Sequence, residues 1–383
     1  MLKIPVARPY FDRREEEAAL RVLRSGWVSM GPVCAEFESA MAAYVGVPYA
    51  RAVNSGTSAI QLALLACGVR PGQEVVVPAF TCVATLNPIE QIGGRPVPVD
   101  IEPDTFAMDP GLLSKALTPD TGAVIAVHLF GLPGRIESIR SQASGLGVPL
   151  IEDAALGLGG RTGDRSVGCF GDAAVLSFHP RKMIAAGEGG MVLTHSETIA
   201  QSVAVMRNYG ASIQAWDRHQ GRLFDLPEYD AAGFNYKMPD LLAAVGLEQA
   251  GKLPEMLGLR RQIARRYDAA LADLPWLKPP EVPVGMEHGY QSYVCRVLNG
   301  DADAARAARL RLFHHLAESG IGAVQGAQSM ASVGYYRRKY GWKPGDFPVA
   351  LMADAQSVAL PMFPGLTEAD QNRVMQAVRS FHP

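Results

Sequence analysis

Residues 176–194 read LSFHPRKMIAAGEGGMVLT, and the fold turns on how this stretch is read. A strand-like apolar run ends at Ser177-Phe178, one lysine follows at Lys182, and the glycine-rich GEGG (187–190) leads into a second apolar run. A cationic side chain between two segments bound for the interior needs an exit to solvent, a buried partner or a chemical task. A loop lysine snorkelling to water is the plain reading. A lysine partly withdrawn from water, or close to other cations, has its pKa lowered and can attack a carbonyl to form a Schiff base.

Upstream, EVVVPAF (74–80), PVPVDI (96–101), AVIAVHLF (123–130), VPLIEDAA (148–155) and AAVLSF (173–178) are short and rich in Val, Ile and Leu. Segments of helical spacing alternate with them from about Thr57 to Thr194, beginning with TSAIQLALLACGV (57–69) ahead of the first run. Near-continuous apolar strands between helices predict a mostly parallel sheet covered on both faces, an α/β domain. Helical patterns follow at 239–253 and 255–274, and then the proline-rich PWLKPPEVPVG (275–285) marks a change of texture. Beyond it SYVCRVL (292–298) predicts a strand, and 302–320 and 368–381 predict helices. The expected organisation is a large α/β domain over residues 1–250, including an N-terminal arm, and a linking helix with a small α+β domain over 251–383.

The 383 residues are 48% hydrophobic and 19% charged with a formal net charge of −2, a balance that does not point to nucleic acid or an anionic membrane as partner. The longest apolar stretches are strand-sized, and the opening MLKIPVARPYFDRREEE lacks the apolar core of a signal peptide. Five scattered cysteines form no CxxC pair and the eight histidines no HExxH, so reduced thiols in a cytoplasmic protein are expected, and no metal site.

Ligands of open α/β sheets bind at the carboxyl ends of the strands, so the polar residues there carry the functional reading. In VNSGTSAIQLAL (53–64), Gly56 permits a tight turn, and Thr57 and Ser58 present hydroxyls and N–H groups where a helix begins. That suits an anion, or an ordinary helix cap, and it is not the GxxxxGK[ST] of a nucleotide phosphate loop. In LIEDAALGLGG (150–160), the pair Glu152-Asp153 ends an apolar run. A carboxylate there meets a cation such as a protonated ring nitrogen, or caps a helix, and the glycines lack the spacing of a dinucleotide fingerprint. In AAGFNYKMPDLLAAVGLEQ (231–249), Asn235 and Lys237 precede a helix that Pro239 and Asp240 can start. An anion cradle, a carboxylate for a ring nitrogen and an amine for an aldehyde are together the three needs of pyridoxal phosphate.

At these residues the chain resembles the DegT/DnrJ/EryC1/StrS sugar aminotransferases. SGWVSMGP (25–32), FESAMAAYVG (37–46), NSGTSAIQLAL, PAFTCVATLNPI (78–89), PVPVDIEPDTFAMDP (96–110), IEDAA, SFHPRKMIAAGEGG, GFNYKMPDLLAAVGLEQ and LPMFPGLTEAD (360–370) carry the likeness over nearly the whole chain. The resemblance implies fold-type I, the aspartate-aminotransferase-like architecture with a small C-terminal domain, and pyridoxal 5′-phosphate as cofactor. It implies that Lys182 forms the Schiff base and then carries a proton between the donor's Cα and the cofactor, and that Asp153 pairs with the ring nitrogen. Gly56, Thr57, Ser58 and Ser177 are implied to hold the phosphate, and Ala155 to pack on the ring. Asn235 is implied to reach the neighbouring subunit's cofactor, which makes the active unit a homodimer.

Two positions and one loop depart from the family pattern. Cys82 stands where an aromatic residue usually stacks on the ring, and is read as a small apolar neighbour of the cofactor rather than a redox group. Leu156 replaces a Gln or His near the cofactor's 3-hydroxyl, and GIGAVQGAQSMASVGYY (320–336) lacks the family's substrate-loop histidines. The expected activity is transfer of an amino group from an amino acid, L-glutamate by family habit, to a keto sugar linked to a nucleotide. Transfer to a non-sugar keto acceptor, a non-catalytic cofactor-binding protein and a nicotinamide dehydrogenase are the rival readings.

Overall fold

The structure is a computed structural model and describes residues 3–213, 215–220 and 226–383. Seven strands form the central sheet: β1 (Tyr49–Val53), β2 (Glu74–Pro78), β3 (Arg95–Val99), β4 (Thr121–Val127), β5 (Leu150–Asp153), β6 (Ala173–Ser177) and β7 (Gly190–Thr194). Their order is β1-β7-β6-β5-β4-β2-β3. Only β7 runs against the others, being antiparallel to both β1 and β6, whereas β6, β5, β4, β2 and β3 pair in parallel. Val75, Val76, Val77, Val124, Ile125, Leu150 and Ile151 are all fully buried, as strands covered on both faces require. The mostly parallel sheet expected from the sequence is therefore present, with one reversed strand.

That reversal explains the opening stretch. Residues 176–194 are two adjacent antiparallel strands with a wide loop between them, so Lys182 sits on the return at the carboxyl end of β6. Phe178 N–H donates to the Gly189 carbonyl at 2.9 Å and Ala186 N–H to the Phe178 carbonyl at 2.9 Å, which closes the loop's neck. Gly190 must lack a side chain, because a Cβ would lie 2.3 Å from the Ser55 carbonyl oxygen.

The strand β1 is not among the runs that periodicity predicts. Its sequence, YARAV, has an arginine at its centre and two alanines, residues of weak strand preference, and its place is fixed by pairing along all five residues to β7. Helices α1 (Arg13–Ser25) and α2 (Pro32–Val45) pack on α5 (Asp240–Gly251), while α3 (Gly56–Ala66) follows β1 and α4 (Val83–Gln91) follows the two-residue strand Phe80–Thr81. Helix α5 starts at Asp240 after Pro239, as the sequence suggests, but the Asp240 carboxylate serves another helix. It accepts N–H groups from Gly31, Val33 and Cys34 at 2.7, 3.2 and 3.0 Å and so caps the start of α2.

Toward the C-terminus, Leu277–Lys278, Tyr293–Val297 and Ser357–Leu360 form a three-stranded antiparallel sheet. Its core gathers Tyr267, Tyr293, Leu312, Val358 and Val374 from the strands and from helices Leu253–Leu271, Ala302–Glu318 and Glu368–Arg379. The short strand Gln328–Ser329 pairs with Phe80–Thr81 and so joins the 320–336 loop to the start of α4. No described helix is long and apolar enough to cross a membrane.

Candidate functional site

The carboxyl ends of β1, β5 and β6 converge with the starts of α3 and α4. At the start of α3, Ser55 is the cap and its hydroxyl accepts the Ser58 N–H at 3.1 Å. The first N–H groups of a helix have no intrahelical acceptor, so Gly56 and Thr57 present donors at the positive end of the dipole. A Cβ on Gly56 would lie 2.9 Å from Ser177 Cβ and 3.2 Å from its Oγ, so only glycine lets α3 close this tightly on the end of β6. Gly56 and Ser177 thus meet at the end of β6, with Thr57 next along the start of α3. The Ser58 hydroxyl is engaged elsewhere: it donates to Asn54 Oδ1 at 2.7 Å and lies 2.8 Å from Ser55 Oγ. Ser58 therefore shapes the turn, and its offer to an anion is not its hydroxyl as the structure stands.

Lys182 is mostly buried, and among the described residues its amine has no hydrogen bond or ion pair. Burial lowers its pKa, the charges of Asp153 and Cys82 offset part of that shift, and Arg181 adds to it. Lys252 makes the contrast. It is buried too, but its amine donates to the Tyr10 carbonyl at 2.9 Å and is ion-paired with Glu15 and Asp12. Lys252 is a satisfied structural lysine; Lys182 is a withheld amine. Cys82 is exposed at the start of α4 and is the one exposed cysteine of the five, all of which are free.

The acidic pair divides between two faces. Glu152 is fully buried and accepts N–H groups from Phe170, Gly171 and Gly168 at 2.6, 2.7 and 2.9 Å, with His128 Nε2–H donating at 2.9 Å. Burial alone would raise its pKa, but the bonds from His128, Gly168 and Gly171 outweigh that and hold it below the ordinary 4.5. Asp153 faces the site. Its Oδ1 accepts the Ala155 N–H at 3.1 Å and its Oδ2 the Thr85 hydroxyl at 2.7 Å.

Asn235 is exposed and lies beside the start of α3 in its own chain, its carbonyl facing Asn54 Nδ2 at 3.4 Å. Its Oδ1 accepts from Lys237 Nζ at 2.6 Å, and that amine lies 3.7 Å from the centre of the Tyr209 ring, which is half exposed. Three positions that sequence reasoning misses support the site from behind. Thr85 and Thr81 stand behind Asp153, and Gln291 donates to the Arg181 carbonyl at 2.7 Å, anchoring the lysine loop from the C-terminal region. No signal in the sequence marks Gln291. Thr81 and Thr85 lie within the quoted PAFTCVATLNPI, where the hydroxyls at i and i+4 were the available sign.

An unpaired, partly desolvated amine, a buried carboxylate held by two donors and a helix start closed by Gly56 suit a compound with an aldehyde, a basic ring nitrogen and a phosphate. The donor set fits pyridoxal phosphate.

Comparison with known proteins agrees. The sequence model of the DegT/DnrJ/EryC1/StrS aminotransferase family matches residues 9–379. The spore coat polysaccharide biosynthesis protein SpsC of Bacillus subtilis is 35% identical over 376 residues, covering 98% of this chain and 96% of the relative. Among solved structures, the aminotransferase TlmJ from Streptoalloteichus hindustanus superposes with a TM-score of 0.89 at 30% identity, and 98% of each chain is covered. Spr1654 from Streptococcus pneumoniae, solved in its PMP form, gives a TM-score of 0.90 at 25% identity, again over 98% of each chain. The architecture is fold-type I.

Proposed function

The chain belongs to the DegT/DnrJ/EryC1/StrS aminotransferase family, and from that premise we propose that it moves the amino group of L-glutamate to a nucleotide-linked keto sugar. It is a pyridoxal-phosphate-dependent aminotransferase. The sugar acceptor is supported by the Bacillus relative, whose name ties it to polysaccharide biosynthesis; the product here would be an amino sugar made in the cytoplasm for a glycan or a secondary metabolite. The donor follows the family resemblance.

The observation that carries the reading is the withheld amine of Lys182 within electrostatic reach of Asp153. When bound, pyridoxal phosphate supplies an aldehyde for amines to condense with and a protonated ring that draws electrons from the bond being broken. Gly56, Thr57 and Ser177 would hold its phosphate through N–H and hydroxyl donors, with Ser58 fixing the turn. Asp153 would pair with the ring nitrogen, and Cys82 and Ala155 would flank the ring. Lys182 Nζ then acts as base: burial favours its neutral form, which takes the proton from the donor's Cα and holds it for return. Asn235, exposed beside Lys237 and Tyr209, is suited to a group offered across a homodimer to the neighbouring site.

The test is the visible spectrum of cofactor-loaded protein before and after L-glutamate. The yellow band should give way to the absorbance of the aminated cofactor, and Lys182→Ala should abolish that exchange. A yellow protein that ignores glutamate, alanine and glutamine alike, or a Lys182→Ala variant with near-normal exchange, would sink the proposal.

A further inference from the structure

Asp153 is held by a chain of buried hydroxyls that no part of the expected site includes. Thr85 Oγ1 lies 2.7 Å from Asp153 Oδ2, and Thr81 Oγ1 lies 3.0 Å from Thr85 Oγ1. Both threonines are 1% exposed. A hydroxyl carries one proton and a carboxylate carries none, so proton counting fixes the direction. Thr85 spends its only proton on Asp153 and can therefore only accept from Thr81, which must donate. Two aligned O–H dipoles then point at the carboxylate, and each polarises the next.

The geometry points to Thr85 and Thr81 as positioning residues for the reaction: a two-hydroxyl relay that orients the Asp153 carboxylate toward the cofactor ring. With Oδ1 on the Ala155 N–H and Oδ2 on Thr85, neither oxygen is free to turn, and rotation about the Cβ–Cγ bond is arrested. The chain's outer end is anchored too. Thr81 lies in the two-residue strand whose pairing partner is Gln328, in the loop that departs from the family's substrate histidines. A carboxylate whose direction is set in advance binds a ring nitrogen without first losing rotational freedom. Thr85 lies on the first turn of α4, three residues after Cys82, so the relay and the face of the cofactor site are built from one segment.

The inference rests on the assignment of Asp153 to the ring nitrogen, and the experiment separates the two. Thr85→Val, Thr85→Ser and Thr81→Val are made in the full chain, with Asp153→Asn as reference. Three quantities are read: the dissociation constant of pyridoxal phosphate for the apoprotein, the pH dependence of the visible band, and the melting temperature of the apoprotein. Thr85→Val should weaken the cofactor about tenfold, the worth of one hydrogen bond to a charged group. It should also move the band's pH dependence in the same direction as Asp153→Asn. Thr85→Ser should restore both, and Thr81→Val should give a smaller loss, about threefold, in the same direction. If Thr85→Val does not fold, Thr81→Val decides by the same readings. Wild-type affinity and band in Thr85→Val or Thr81→Val, or a serine no better than valine at position 85, overturn the relay. An unchanged Asp153→Asn overturns the Asp153 assignment and the relay with it, whereas an impaired Asp153→Asn beside an unchanged Thr85→Val overturns the relay alone.

Discussion

Replacing Glu152 by glutamine is expected to unsettle the fold and spare the chemistry, and replacing Asp153 by asparagine to do the reverse. Glu152 Oε1 accepts from Phe170 and Gly171, and Oε2 from Gly168 and His128. A glutamine must turn its NH₂ toward one of these pairs of donors. The less costly choice faces Gly168 and His128, because His128 can shift its proton to Nδ1, which has no partner among the described residues, and then accept at Nε2. One buried N–H is still orphaned and the bonds that remain lose their charge. The orphan costs about 1–3 kcal/mol and the weakened bonds as much again, roughly 2–6 kcal/mol together. With an unfolding entropy of about 2.1 cal/mol/K per residue over 383 residues, that is a fall in melting temperature of roughly 2–8 °C.

The pH dependence has a definite sign. The folded pKa of Glu152 is held below 4.5, so its contribution is present above that pH and is lost as pH falls through the lower folded value. Wild type and Glu152→Gln should therefore differ most near neutrality and converge in acid below pH 4.5. Asp153→Asn should melt close to wild type yet lose about 10²–10³ in the rate of the glutamate half-reaction, as expected when one preorganised electrostatic partner is removed. The assays are thermal melts of the apoprotein across pH and stopped-flow absorbance of the loaded enzyme. A Glu152→Gln protein melting within about 1 °C of wild type at neutral pH would refute the account of the buried carboxylate.

Two further outcomes are expected. In the apoprotein, the rate of pyridoxal phosphate capture should rise with pH and level off below 10.5, because burial favours the neutral Lys182 amine, and Asp153→Asn should move that inflection lower still by removing an opposing charge; an inflection at or above 10.5 would contradict the burial of Lys182. If Asn235 serves the neighbouring subunit's site, Lys182→Ala and Asn235→Ala chains unfolded together and refolded as a mixture should regain roughly a quarter of wild-type activity, since half the dimers are mixed and each mixed dimer holds one intact site; a mixture no more active than the average of its two parents would assign Asn235 to its own chain.

Most strands of the central sheet were legible, and Lys182, Glu152 and Asp153 drew notice, for one reason: each is distinctive by type or period. Runs such as VVV in β2 and LI in β5 can only be interior, and a lysine or carboxylate at the end of such a run stands out because burying it unpaired is so costly. The strand β1 was not legible, because YARAV has neither a clean alternation nor a β-branched run, and five cross-strand partners in β7 supply what its sequence lacks. The division of labour between Glu152 and Asp153 was hidden for a related reason. Alternation shows that the two carboxylates point to opposite faces of β5, but in a sheet covered on both sides neither face is marked as core.

The supporting residues are hidden for a different reason. Asp153 and Thr85 are 68 residues apart, Gln291 and Arg181 are 110 apart, and Asp240 and Gly31 are 209 apart. Each pairing uses a threonine, glutamine or aspartate of the kind that occurs at many helix starts and loops, so the residue type carries no signal until topology supplies the partner. The reacting groups must be chemically unusual to do their work, but the groups that aim them need only one proton in the right place. Reading from sequence therefore reaches Lys182 and Asp153 and stops at the layer behind them. In that layer Thr85 fixes one oxygen of Asp153 and Gln291 pins the loop of Lys182, and only the folded chain brings these partners together.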